Sequence, residues 1–135
     1  MPLSAILKHQ RVAWTALSVI LWAVIIVLSL LPGQERPHTG YSGNLEHLVA
    51  YVGTAGVTAL AFRSVAPVWL VLSFAGASAL LEIAQLYIPG RSSGLDNLLA
   101  SSIGATLGVI AARWVAQPLL DRWTPPAPVP PGEPD

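Results

Sequence analysis

The chain has no cysteine and only one methionine among its 135 residues. Without thiols there are no disulfides, no thiolate nucleophiles and no cysteine-ligated metals. Charge is also scarce. Only 10% of residues are Asp, Glu, Lys or Arg, whereas a soluble domain carries about a quarter. Seven basic residues balance seven acidic ones, so there is no positive excess to recruit nucleic acid. No repeat of solenoid period runs through the sequence.

What is abundant is apolar surface. Hydrophobic residues make up 53% of the chain and the mean hydropathy is +0.60. Too few polar side chains remain to cover a water-soluble globule, so the composition places the chain in a lipid bilayer. Val12 to Leu31 runs for about twenty residues without a charge, enough to cross the roughly 30 Å hydrocarbon core, and Pro32-Gly33 stops it. Lys8 and Arg11 could form the basic region of a signal peptide. The apolar run is long for one, however, and no small-x-small site precedes Pro32, so a retained anchor is expected.

Three further spans follow, at about 44–62, 67–88 and 95–115. The second reaches bilayer length only if Glu46 and His47 lie in its outer turn. Pro89-Gly90 ends the third, and Pro118 lies just beyond the fourth. Short loops make neighbouring helices antiparallel. The sequence therefore predicts an all-α membrane protein with four transmembrane helices in an antiparallel bundle and no β-sheet. Its expected organisation is an N-terminal segment 1–11, a membrane domain 12–115 and a Pro-rich tail 116–135. That tail holds too few aliphatics to offset its ordering entropy and is expected to be disordered.

Lys8, Arg11, Arg63, Arg113 and Arg122 flank the spans on one side, while only Arg36 and Arg91 flank them on the other. The positive-inside rule then puts both termini in the cytoplasm. Trp14, Trp69 and Trp114 fall at the inner ends and Tyr41 and Tyr87 at the outer ends, as an aromatic belt would have them.

In this orientation the polar residues near the helix ends gather at the outer face. Glu46 and His47 open the second span, Glu82 and Gln85 close the third, and Arg91, Asp96 and Asn97 lead into the fourth. Ionisable groups near hydrocarbon are costly and face the bundle interior, where they mark function or fix packing. Glu82 lies seven residues before Pro89, roughly 10 Å along a helix, so its carboxylate must be paired, hydrogen-bonded or protonated. It is either a structural acid paired with Arg91 or His47, or part of a site. His47 with Glu82 could form an acid–base pair. Arg91 is either solvated or a bidentate clamp for phosphate or carboxylate. Asp96 serves a site or, more simply, the positive end of a helix dipole. The ligand-binding candidates are therefore His47, Glu82, Gln85, Arg91 and Asp96, and His47 and Glu82 are also the catalytic candidates. No metal set and no cofactor motif is present: there is no HExxH, and Gly90-Arg-Ser-Ser-Gly94 is not a nucleophile elbow. Small residues form two packing faces, Ala50, Gly53 and Gly56 on the second span and Gly104 and Gly108 on the fourth.

Several of these pieces occur in a set order. They are the SxxP of Ser29–Pro32, the run Leu45-Glu-His-Leu-Val-Ala-Tyr51, Glu82-Ile-Ala-Gln85 followed by Pro89-Gly-Arg91, and Gly104-Ala-Thr-Leu-Gly108. In that order and spacing the chain resembles the VanZ-like family of small bacterial integral membrane proteins over about residues 12–115. Two departures stand out. The family's Asp-Lys pair ahead of the histidine is replaced by Gly43, Asn44 and Leu45, and its helix-four aspartate and asparagine slots fall on Asn97 and Ser101. The family takes its name from a protein associated with teicoplanin resistance. The resemblance implies a bacterial plasma-membrane protein of the cell envelope, and it implies no reaction.

Three functions are open on these residues: binding of an anionic lipid or cell-wall precursor at the outer face, intramembrane catalysis on a lipid-linked substrate, and a structural or assembly role. The expected partner in every case is the lipid bilayer.

Overall fold

The computed structural model describes residues 3–37 and 39–123. Four long helices run in order: α1 (Leu3–Leu30), α2 (Gly43–Ala61), α3 (Pro67–Gln85) and α4 (Leu95–Ile110). A π-helical turn (Ala111–Ala116) joins α4 to a short α5 (Gln117–Arg122). There is no strand among the described residues.

Local sequence explains the boundaries. Ser42, in an extended conformation, accepts the Leu45 N–H and opens α2, with Glu46 in the first turn where the helix dipole favours an acid. Pro67 sits in the first turn of α3, where its missing N–H is harmless. After Gln85 the chain turns through Leu86–Gly90, and Gly90 adopts φ +74°, a conformation that side chains disfavour. α3 therefore ends three residues earlier than the sequence predicts.

Two other boundaries differ from expectation. α1 starts at Leu3 rather than Val12, because the polar residues ahead of the apolar run continue the helix. At the other end Pro118 does not terminate the helix. The wider π turn ahead of it absorbs the disrupted hydrogen bonding, and Pro118 occupies the first turn of α5. Residues 117–122 of the expected tail are helical, and its remainder at 124–135 lies outside the described residues.

α2 is the centre of the bundle and touches α1, α3 and α4. Tyr51, Ala55, Ala59, Phe74, Ala105 and Val109 form its core. Phe74 joins three helices, stacking on Trp22 of α1 at 4.5 Å and meeting Tyr51 of α2 edge-on at 6.0 Å. The closest approach is between α2 and α4. A Cβ at Gly104 would run into the Leu48 carbonyl and one at Gly108 into that of Val52, while a Cβ at Gly56 would meet Gly108 at 3.4 Å. The GxxxG is therefore a backbone-to-backbone seam. Gly53 is not part of it, and a Cβ there would meet nothing within 4 Å. The seam follows Leu48, Val52 and Gly56 at four-residue spacing, and Gly53 is turned about 100° away from Val52.

Pairings fix the relative directions. Ser18 of α1 meets Thr58 of α2 at 2.8 Å, while Ile25 and Ser29 lie with His47 and Tyr51, so α1 and α2 run in opposite senses. Leu48 and Val52 pair with Gly104 and Gly108, so α2 and α4 run in the same sense. At the end where α2 stops, the Arg113 guanidinium donates to the carbonyls of Phe62, Arg63 and Val65 at 2.9, 2.6 and 2.7 Å. Arg63 in turn pairs with Asp121 of α5 at 2.6 Å.

Polarity is inverted relative to a soluble protein. Ser18, Ser29, Thr54, Thr58, Ser78, Glu82, Gln85 and Ser101 are buried, whereas Val19, Val27, Leu72, Leu80, Ile103 and Leu107 are exposed. Three helical stretches, His9–Leu30, Pro67–Gln85 and Leu95–Arg122, are long and apolar enough to cross a membrane. The fourth, α2, falls short on composition because it carries much of the polar interior.

Candidate functional site

The site lies where α1 and α3 end and α2 and α4 begin. On α2, Glu46, His47 and Tyr51 project toward this end at helical spacing, with the rings of His47 and Tyr51 6.4 Å apart. His47 Nδ1 lies 3.3 Å from Ser101 Oγ of α4, which fixes the ring and leaves Nε2 as the nitrogen with no protein partner among the described residues. Ser101 is fully buried, and the Tyr51 hydroxyl lies beside it and Ser78. On α3, Ser78, Glu82 and Gln85 are all buried on one face, as their spacing predicts. Gln85 Nε2 donates to the Ser29 carbonyl at 3.1 Å, joining α3 to the end of α1.

Glu82 has a definite task. Its Oε2 accepts the backbone N–H of Gly94 at 2.8 Å, and Gly94 caps α4. The carboxylate thus fastens the loop carrying Arg91 to α3 by receiving the N–H of the residue that precedes the first turn of α4. Because α3 ends at Gln85, Glu82 lies within one turn of the helix end rather than nearly two.

Two adjoining cavities open here. One is an apolar cleft of 190 Å³ between α1 and α2, walled by Val24, Ile25, Leu28, Ala50 and Tyr51. The other is a polar chamber of 360 Å³ that includes Tyr41, Gln85, Ser92 and Asn97. Arg36, Thr39, Glu46, His47 and Arg91 line both. The polar chamber lies at the ends of α2, α3 and α4, through Glu46, His47, Gln85 and Asn97, and the apolar cleft lies between α1 and α2. A larger cavity of 640 Å³ at the opposite end is lined by Trp14, Arg63, Asp121 and Trp123 and holds none of the expected site residues.

Charges around the chamber are unevenly paired. Arg36 forms an ion pair with Glu46, and Thr39 donates to the same carboxylate. The Arg91 side chain makes no hydrogen bond or ion pair among the described residues. Partial burial lowers the affinity of its guanidinium for its proton, nearby Arg36 acts in the same direction, and Glu82 opposes both. The loop holding Arg36 is tied to the loop holding Arg91 by Gly33 N–H donating to the Pro89 carbonyl at 3.1 Å.

Of the five expected binding residues, His47, Gln85 and Arg91 line the chamber. Glu82 lines neither cavity. Asp96 is exposed in the first turn of α4, where Asn44 Nδ2 donates to it at 3.1 Å, and it also lies outside both linings. Arg36, Thr39 and Glu46 line both cavities but were not among the expected binding residues. Arg36 did carry a signal, being with Arg91 one of the two cations on the less basic side of the spans.

Apolar outer surfaces, a buried polar interior and a polar chamber at one end define a small helical membrane protein. The chain belongs to the VanZ/LLP1 family, which it matches over residues 3–116. No curated protein and no solved structure matches it.

Proposed function

We propose that the protein binds an anionic amphiphile, a lipid or lipid-linked cell-wall precursor, with the headgroup in the polar chamber and a chain in the α1–α2 cleft. The observation behind this reading is that one set of side chains, Arg36, Thr39, Glu46, His47 and Arg91, lines both spaces. An amphiphile needs that continuity between a polar and an apolar compartment. Arg91 is the anion ligand, since its guanidinium can grip a phosphate or carboxylate bidentately.

The proposal includes four crossings in an antiparallel bundle. α2 counts as the fourth because α1, α3 and α4 surround it and shield its polar groups from lipid. The membrane is the bacterial plasma membrane, both termini are cytoplasmic and the chamber faces outward, in keeping with the Lys and Arg flanks.

Catalysis by a His47–Glu82 acid–base pair has less support. Glu82 Oε2 is engaged by Gly94 and lines neither cavity, and a buried Ser101 holds His47. A purely structural role leaves the Arg91 side chain, unpartnered among the described residues, without a purpose.

The test is lipid retention. The protein is extracted in mild detergent and its bound lipids are identified by native mass spectrometry. Phosphate-bearing lipid should accompany the parent and be depleted in Arg91→Ala. Equal retention by both would overturn the proposal.

A further inference from the structure

The charges around the chamber narrow the ligand class, an inference that rests on the binding function just proposed. We infer that the headgroup is a phosphodiester with one negative charge, not a phosphomonoester.

Two guanidinium groups line the chamber, but only one is available. Arg36 is ion-paired with Glu46, and Thr39 donates to that carboxylate as well, so the Arg36 charge is already balanced inside the cavity. Arg91 has no side-chain partner among the described residues and lines both the chamber and the apolar cleft. Glu82 makes no ion pair with it: one of its oxygens receives the Gly94 N–H, and its charge acts on Arg91 only at a distance. A ligand therefore meets one free guanidinium, Arg91, beside an Arg36–Glu46 pair whose charges balance.

One guanidinium fork satisfies a phosphodiester monoanion. A phosphomonoester carries a charge of about −1.5 to −2 and needs a second cation. Glu46 occupies Arg36, so no second guanidinium lining the chamber is free to supply it. The apolar cleft at the same arginine makes the source a membrane lipid rather than a soluble phosphate.

The experiment uses the full chain in nanodiscs of phosphatidylcholine doped with phosphatidylglycerol, a phosphodiester, or phosphatidic acid, a phosphomonoester. Work at about pH 8 keeps histidine charge from contributing. Native mass spectrometry counts the retained lipids. The parent should retain phosphatidylglycerol over phosphatidic acid. Glu46→Gln frees Arg36 and should move the ratio toward phosphatidic acid by about fivefold, the effect of one charge at a membrane surface. Arg36→Gln, which leaves Glu46 uncompensated, should move it the other way and weaken both lipids. It also serves as the second variant if Glu46→Gln does not fold.

Parent protein that prefers phosphatidic acid, or a ratio that stays fixed in the folded variants, overturns the phosphodiester assignment and leaves amphiphile binding standing. If neither anionic lipid is retained above phosphatidylcholine, the binding function itself is overturned.

Discussion

Glu82 and Gly94 are joined by a hydrogen bond of 2.8 Å from the backbone N–H to the carboxylate, across the turn between α3 and α4. A residue that looks like a catalytic acid in the sequence thus holds the N-terminus of a helix. Arg91 lies three residues from this bond, so the carboxylate sets the position of the arginine without touching a ligand.

The first prediction follows. Glu82→Gln keeps an amide oxygen for Gly94, so the protein should fold, with modest loss of thermal stability in detergent. Glu82→Leu strands a partly buried N–H and should lower stability by about 1–3 kcal/mol. Equal melting of the leucine variant and the parent would show that the bond contributes nothing.

The seam between α2 and α4 gives a second. Gly108→Ala drives a methyl into the Val52 carbonyl and Gly104→Ala into that of Leu48. Each should destabilise by about 1–3 kcal/mol, as overpacking does. Gly53→Ala enters open space and should be neutral or stabilising by about 0.5–1 kcal/mol through helix propensity. Unfolding in graded denaturing detergent separates these outcomes, and a neutral Gly108→Ala would refute the seam.

At the opposite end, Arg113 gathers three carbonyls from the turn after α2. Arg113→Lys retains the charge but loses the planar fork, and it should lose about 1.5 kcal/mol of stability. Lipid retention should not change, because the chamber lies at the other end. Loss of both together would mean that the two ends are coupled.

Asp96 supplies a negative control. It is exposed, partnered by Asn44 and outside both cavities. Asp96→Asn should leave lipid retention as in the parent in the same mass-spectrometric assay. A loss comparable to Arg91→Ala would place Asp96 in the site after all.

Much of the fold is visible in the sequence because it rests on periodicity and composition. The apolar runs mark α1, α3 and α4, and GxxxG marks the α2–α4 contact. Boundaries were less legible. Pro118 reads as a terminator, yet a π turn carries the helix past it, and that accommodation depends on backbone geometry with no residue signature. Gly53 looks equivalent to Gly56 until the direction of the seam is known.

For the site, spacing brought Ser78, Glu82 and Gln85 to one face and His47 and Tyr51 to another. The Arg36–Glu46 pair joins a loop to a helix, and nothing local in the sequence encodes that meeting. Glu82 was legible as a buried acid in need of a partner, but the partner was not, because it is a backbone N–H and backbone groups leave no trace in the one-letter code.

The rim of the apolar cleft is formed by Val24 and Leu28, which are 46% and 39% exposed on the outer surface of α1. In the bilayer arrangement proposed above, the cleft opens sideways, into the hydrocarbon, as well as toward the headgroups. An occupant arriving this way diffuses in two dimensions and never enters water. Its saturation then follows the mole fraction of that lipid in the leaflet, so dilution of the sample would leave occupancy unchanged while a shift in lipid composition would not.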